Sequence, residues 1–208
     1  GFVARSADKL TKLASVTKEL NKKIAQGVGS TKFREANKGG LGGTWSNFPI
    51  LHETHTLPQN NFRPNGDDTP TSLFRETLED QFVIKAESCY RCGINCHKNI
   101  YEKKSDGGRG AFRAKFDYEP LNLLATNLGV DDPTAAWQLV QRGDNLGMDS
   151  ISLGTTIGYV LDYNERHPDK PIMNGATFGD ADKIMALVED TGNCRLPELG
   201  HGVKRLSE

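Results

Sequence analysis

The chain has 208 residues, 36% of them hydrophobic and 25% charged, with 22 glycines and a formal net charge of −1. That length suits one large domain or two small ones, and the near-neutral balance excludes a polyanion such as nucleic acid as the implied partner. No run approaches the roughly 18 apolar residues of a membrane span, and no secretory leader is visible.

Residues 6–27, SADKLTKLASVTKELNKKIAQG, put Leu10, Leu13, Leu20 and Ile24 on one helical face and lysines on the other, with Ser6 as N-cap and Gly27 as stop. Residues 28–70 have no period and are rich in Gly, Asn, Thr and Pro. So long an irregular stretch is usually functional or packed on something else. Trp45, Phe48, Ile50, Leu51, Leu57 and Phe62 punctuate it, so it is expected to drape over another domain rather than act as a linker. Residues 71–86 read as a short helix with Leu73, Leu78 and Phe82 inward. SDGGRG at 105–110 is a turn, and helical spacing sets in from Pro120. Asp132-Pro133 is an N-cap followed by Pro at the first helical position, opening a helix through Trp137 and Val140, and Trp137 and Tyr159 are expected in the core. Helices follow at 150–165 and 180–190, and LPELGHGVKRLSE is a fourth. No alternating strand pattern stands out. The predicted fold class is mainly α: a single multihelical domain over 1–208 with a long irregular N-terminal segment. The thin apolar content and the start GFVARS, without Met, suggest an excised part of a longer chain whose surfaces meet neighbouring domains.

Three of the four cysteines fall in ESCYRCGINCHKN, as Cys89-x2-Cys92-x3-Cys96. Four cysteines so distributed make a poor disulfide framework and suggest a reducing, cytoplasmic setting. An iron–sulfur cubane needs four thiolates, and a short loop can wrap three corners while the fourth comes from elsewhere. Gly93 relaxes the backbone between the second and third. Structural zinc usually wants two separated ligand pairs, and only His97, adjacent to Cys96, is at hand. Haem attachment fails because Gly93 follows Cys92. A redox dithiol would leave Cys96 unexplained, and a group of structural thiols remains open. HETH at 52–55 lacks a third metal ligand nearby and reads as a solvated loop. The glycines of GGLGG lack the strand and Lys-Ser/Thr of a phosphate loop.

DNLGMD at 144–149 puts Asp144 and Asp149 on either side of Gly147 between two helices. Glycine permits close backbone approach to a ligand, and a carboxylate can accept paired N–H bonds from a planar, guanidine-like edge. Asp149 can equally be a plain helix cap.

With the cysteines, these features resemble the aldehyde ferredoxin oxidoreductase family of tungsten or molybdenum pterin enzymes. The matching stretches are Cys89-x2-Cys92-x3-Cys96, DYE at 117–119, LGVDDP at 128–133 and DNLGMDSISLGTTIG at 144–158. LPQNNF at 57–62 and ELGHGVKR at 198–205 also match. The resemblance implies a central helical domain, with an N-terminal domain that cradles a bis-pterin cofactor and a C-terminal helical domain lying outside this chain. It implies that Cys89, Cys92 and Cys96 hold one [4Fe–4S] cluster whose fourth thiolate comes from outside, leaving Cys194 a buried or bystander thiol. Asp144, Leu146, Gly147, Met148 and Asp149 would contact the pterin, and Glu119 would lie near the tungsten or molybdenum. The implied reaction is oxidation of aldehydes to carboxylic acids, with electrons passed to ferredoxin or an iron–sulfur partner subunit. Lys115 and Asp117 before the Tyr-Glu pair, and the polar stretch after the cysteines, depart from the family pattern. They keep open a tungsten subunit of a benzoyl-coenzyme A reductase-type complex. A non-catalytic zinc- or cluster-binding module is the rival of another class.

Overall fold

Hydrophobic periodicity and helix caps account for most of the architecture. The computed structural model describes residues 7–26, 43–90 and 96–208, and among these it holds nine α-helices and one three-stranded antiparallel sheet. No helix among the described residues is long and apolar enough to cross a membrane. The amphipathic segment forms α1 (Ala7–Gln26), whose Leu13, Leu20 and Ile24 remain about half exposed at 53%, 52% and 41%. Ser6, Gly27 and the side chain of Leu10 lie outside the described residues.

Two features depart from the sequence reading. First, part of the stretch expected to be irregular is helical and internal. A 3-10 turn (Gly43–Ser46) runs into α2 (Asn47–Glu53), and Trp45, Phe48 and Leu57 are buried in the chain's own core rather than against another domain. Trp45 donates from its indole nitrogen to the Leu73 carbonyl at 3.0 Å and meets Phe116 edge-on at 5.3 Å. Ile50 and Phe62 are exposed. Second, there is a sheet. The predicted helix over 71–86 is only α3 (Arg75–Gln81), and Phe82 begins strand β1 (Phe82–Glu87). β1 pairs with β2 (His97–Lys103), which pairs with β3 (Arg109–Phe116). The strand period is obscured for two reasons. The inward side of β2 carries Lys98 as well as Ile100, and register shifts at Ile100/Tyr101 and Tyr101/Lys103 break the alternation against β3. The predicted turn at 105–110 is the β2–β3 connection.

The remaining helices follow the caps. Asp132 accepts from Ala135 N at 2.8 Å and opens α5 (Pro133–Asn145), and Asp149 accepts from Ser152 N at 2.7 Å and opens α6 (Ser150–Arg166). Asp180 accepts from Lys183 N and opens α7 (Ala181–Gly192). The predicted fourth helix is two short ones, α8 (Pro197–Gly200) and α9 (Val203–Leu206). Before them, α4 (Tyr118–Leu124) packs on α6, and α5 lies along β3. Leu121, Leu124, Leu139, Ile157, Leu161, Leu187, Ile100 and Phe116 join one continuous core. Trp137 and Tyr159 are only half-buried; Arg113 of β3 stacks over the Trp137 ring at 5.1 Å.

LPQNNF makes a left-handed turn, with φ of 45°, 59° and 63° at Asn60, Asn61 and Phe62. Asn tolerates this region far better than Phe does. The turn is held from below: the Asn61 and Phe62 amides donate to the carbonyl and side-chain oxygens of fully buried Asn127, at 2.8 and 2.7 Å. Arg63 then ties the turn to α6 through Asp162 at 2.8 Å.

Asp131, one residue before the α5 cap, has its carboxyl oxygen Oδ1 buried without a hydrogen-bond partner, and burial pushes its pKa up to about 6 from 3.8. A folded-state pKa above the unfolded one makes the ionised form costly, so this contribution favours folding at low pH and is lost as pH rises through about 6. Asp131→Asn is expected to gain ~1–2 kcal/mol at pH 7, discounted from the full shift for residual solvation. The gain should vanish below about pH 4, where both forms are neutral. Thermal unfolding of the two proteins at pH 7 and pH 4 checks this; an equal gain at both pH values would contradict it.

Candidate functional site

The β1–β2 pairing ends at Glu87↔His97, so the cysteine segment is the connection of a hairpin. Cys89 follows β1 and Cys96 immediately precedes β2; Cys92, within 91–95, lies outside the described residues. Cys89 is exposed and Cys96 half-buried. The Cys89 sulfur is 3.8 Å from His97 Nδ1. His97 is buried, and its pKa is lowered first by burial and then by Lys115. Cys194 is exposed rather than buried, at φ +57° just past α7. Among the described residues no three His, Cys, Asp or Glu side chains converge on one point.

Two residues seat this loop. Gly43, the last glycine of GGLGG, has φ +76°, and a Cβ there would stand 1.8 Å from the Cys96 carbonyl oxygen. Only glycine permits that approach. The same carbonyl accepts from Lys98 Nζ at 3.2 Å. Lys98 is fully buried, and its pKa is lowered to about 8 by burial and by the charge of Arg75, against the opposing effects of Cys96 and Asp117.

On the other face of the sheet, Lys115 pairs with Asp117 at 3.0 Å, while the second carboxyl oxygen of Asp117 is buried without a hydrogen-bond partner. Burial alone would lower the Lys115 pKa. The hydrogen bond and charge of Asp117, with Cys89 and Asp144 beyond, reverse that and raise it. Asp144 is in the last turn of α5, brought there because α5 packs along β3. Burial of its carboxyl raises its pKa, Lys115 opposing and Asp117 reinforcing. Lys115 and Asp117 thus bear on both His97 and Asp144 by their charge.

In that turn Gly147 has φ +71° and open space where a Cβ would be, so its backbone is accessible. Leu146 packs against Gly192 of α7. Met148 and Asp149 line a cavity of about 220 Å³ with Ser152, Leu153, Thr191 and Leu199. That is below the ~300–1,000 Å³ of a pocket enclosing a whole ligand, so it suits one edge of a larger molecule. Asp149 is exposed, and its pKa is lowered by the Ser152 amide and hydroxyl. Its capping bond uses Oδ1. Glu119 is half-buried in the first turn of α4, beside Tyr118, whose hydroxyl pKa is raised by burial and by the Glu119 charge.

The charges of Asp144, Asp117 and Cys89 all act on Lys115, and Met148 and Asp149 line the cavity. HETH is split: His52, in α2, lies 3.3 Å from the Thr69 carbonyl, and exposed His55 faces Asp67. Sequence reasoning missed Gly43 and Lys98. A lysine at an inward strand position was the signal for the second; no local pattern marks the first.

The donor chemistry fits the implied groups. Thiols at the two ends of a hairpin connection, with the Cys96 carbonyl held by Lys98, suit a soft metal cluster. An open glycine turn flanked by carboxylates suits a planar N–H edge. The fold is a mainly helical domain whose small sheet carries the cysteine hairpin. The family model described as aldehyde ferredoxin oxidoreductase, domains 2 and 3, matches residues 16–208, and the chain belongs to that family. It is 28% identical over 117 residues to a tungsten-containing aldehyde ferredoxin oxidoreductase of Pyrococcus abyssi, covering 56% of this chain and 18% of that protein. It is 26% identical over 136 residues to an aliphatic sulfonate oxidoreductase, WOR-like subunit, of Pyrococcus furiosus, covering 65% of this chain and 21% of that protein. The chain thus spans about a fifth of the length of the curated relatives it matches.

Proposed function

We propose that this chain is the part of a tungsten or molybdenum pterin oxidoreductase that holds three corners of a [4Fe–4S] cluster and one edge of the pterin. The observation that carries the reading is the hairpin connection that has Cys89 and Cys96 at its two ends, in a chain that the family model matches over residues 16–208. Cys89, Cys92 and Cys96 supply thiolates. Asp144 and Asp149 accept N–H bonds from the pterin edge, and Gly147, between Leu146 and Met148, lets the backbone approach it. The bound metal and cluster supply the redox chemistry. In the overall reaction an aldehyde and water give a carboxylate, three protons and two electrons, and the electrons leave singly to ferredoxin or a partner subunit. Glu119, half-buried in the first turn of α4, accepts one of those protons. The likeness to a WOR-like subunit covers more of this chain than the likeness to the Pyrococcus abyssi protein does, and favours transfer within a multi-subunit assembly. Anaerobic purification of the full-length protein should yield iron together with tungsten or molybdenum, and aldehyde-dependent reduction of ferredoxin or of the co-purifying subunit. Zinc alone, with no pterin released on denaturation, would overturn the proposal.

A further inference from the structure

We infer that Lys98 is the counter-cation of the iron–sulfur cluster, a positioning residue that raises the cluster's reduction potential and helps retain it. The inference rests on the cluster reading above. Lys98 is on the core face of β2, two residues past Cys96, and is fully buried. Its ammonium donates to the Cys96 carbonyl at 3.2 Å, and Gly43 closes over the same carbonyl, so charge and loop are held together. A buried charge acts on a neighbouring anion with little screening by water or salt. A cubane held by four thiolates is anionic when oxidised and gains a further negative charge on reduction. A fixed cation beside it therefore stabilises the reduced state more, and the potential rises; charge and hydrogen bonding around a cluster are among the terms that set its potential.

Lys115 provides the comparison. It lies on the opposite face of the same sheet end and faces Cys89, but its side chain is 37% exposed and is paired with Asp117 at 3.0 Å. The Asp117 carboxylate cancels much of its field, so Lys115 is the weaker of the two.

The test is an EPR-monitored potentiometric titration of the full-length, cluster-loaded protein, with iron per chain measured alongside. Lys98→Met should move the midpoint negative by about tenfold in the reduction equilibrium, which is ~59 mV for a one-electron couple. Lys98→Arg should keep most of the wild-type potential, and Lys115→Gln should shift it less than Lys98→Met does. Exposed Lys104, in the β2–β3 connection, is the control, and Lys104→Gln should not move the midpoint. A Lys98→Met protein with full iron and an unchanged midpoint overturns the inference. If Lys98→Met loses its iron, Lys98→Arg decides: retention of cluster and potential supports the counter-charge, and equal loss shows that shape rather than charge matters and overturns it. A wild-type protein without iron sinks the cluster reading itself, and this inference with it; a loaded wild type with unmoved variants sinks this inference alone.

Discussion

Alanine at Cys89, Cys92 or Cys96 in the full-length protein is expected to reduce iron to background and to lower the melting temperature. The hairpin connection joins two strands whose last pair is Glu87↔His97, and its described backbone anchor is the Cys96 carbonyl between Gly43 and Lys98. Where the thiolates of a loop bind a metal, metal-binding free energy becomes folding free energy. Loss of one thiolate leaves an incomplete ligand set, so all three variants should behave alike. Cys194→Ser should keep full iron, because that thiol is exposed beyond the end of α7. Iron and absorbance near the visible cluster band, measured side by side, check this. Three variants with wild-type iron would remove the cluster assignment, and loss of iron in Cys194→Ser would reassign the fourth thiolate.

Asp149→Ser is expected to lower tungsten or molybdenum retention by roughly tenfold to a hundredfold while leaving the fold intact. Serine can still cap α6 by accepting from the Ser152 amide, so the helix should lose only a few tenths of the ~1 kcal/mol that a cap contributes. What it removes is a carboxylate held anionic by its bonds to Ser152, at the mouth of the cavity lined by Met148. A charge-assisted hydrogen bond is worth ~1.5–3 kcal/mol, which gives the stated range. Asp149→Ala should add the capping loss, and Asp144→Asn, which leaves the α6 cap untouched, should lower retention. Metal content after gel filtration, with a thermal melt on the same samples, separates the two roles. If Asp149→Ser keeps its metal and its turnover, the residue is a cap and the pterin contact belongs elsewhere.

The Asp144–Asp149 and cysteine motifs could be read because each is local. Thiol spacing over eight residues, and caps that act within one helical turn at Asp132, Asp149 and Asp180, depend little on the rest of the chain. The sheet could not be read so easily. Lys98 occupies an inward strand position, and register shifts around Tyr101 disturb the pairing with β3, so the alternation that normally announces a strand is broken. Trp45, Phe48 and Leu57 show the same limit. Their apolar character in a glycine-rich stretch predicted burial, but not that the partner would be this chain's own Phe116, Tyr118 and Leu73.

By itself, the sequence determined the helices from Pro133 onward, the order of the motifs, the family and the chemical type of each candidate ligand, because those depend on neighbours within a few residues. Only the tertiary structure decided that Cys89 and Cys96 sit at the ends of a β-hairpin connection, that Gly43 presses on the Cys96 carbonyl, and that Lys115 feels the charges of Asp117, Cys89 and Asp144 together. Those relations join segments far apart in the chain. They exist only once β2 and β3 pair and α5 packs along β3, and no local propensity encodes a distance that packing has yet to set.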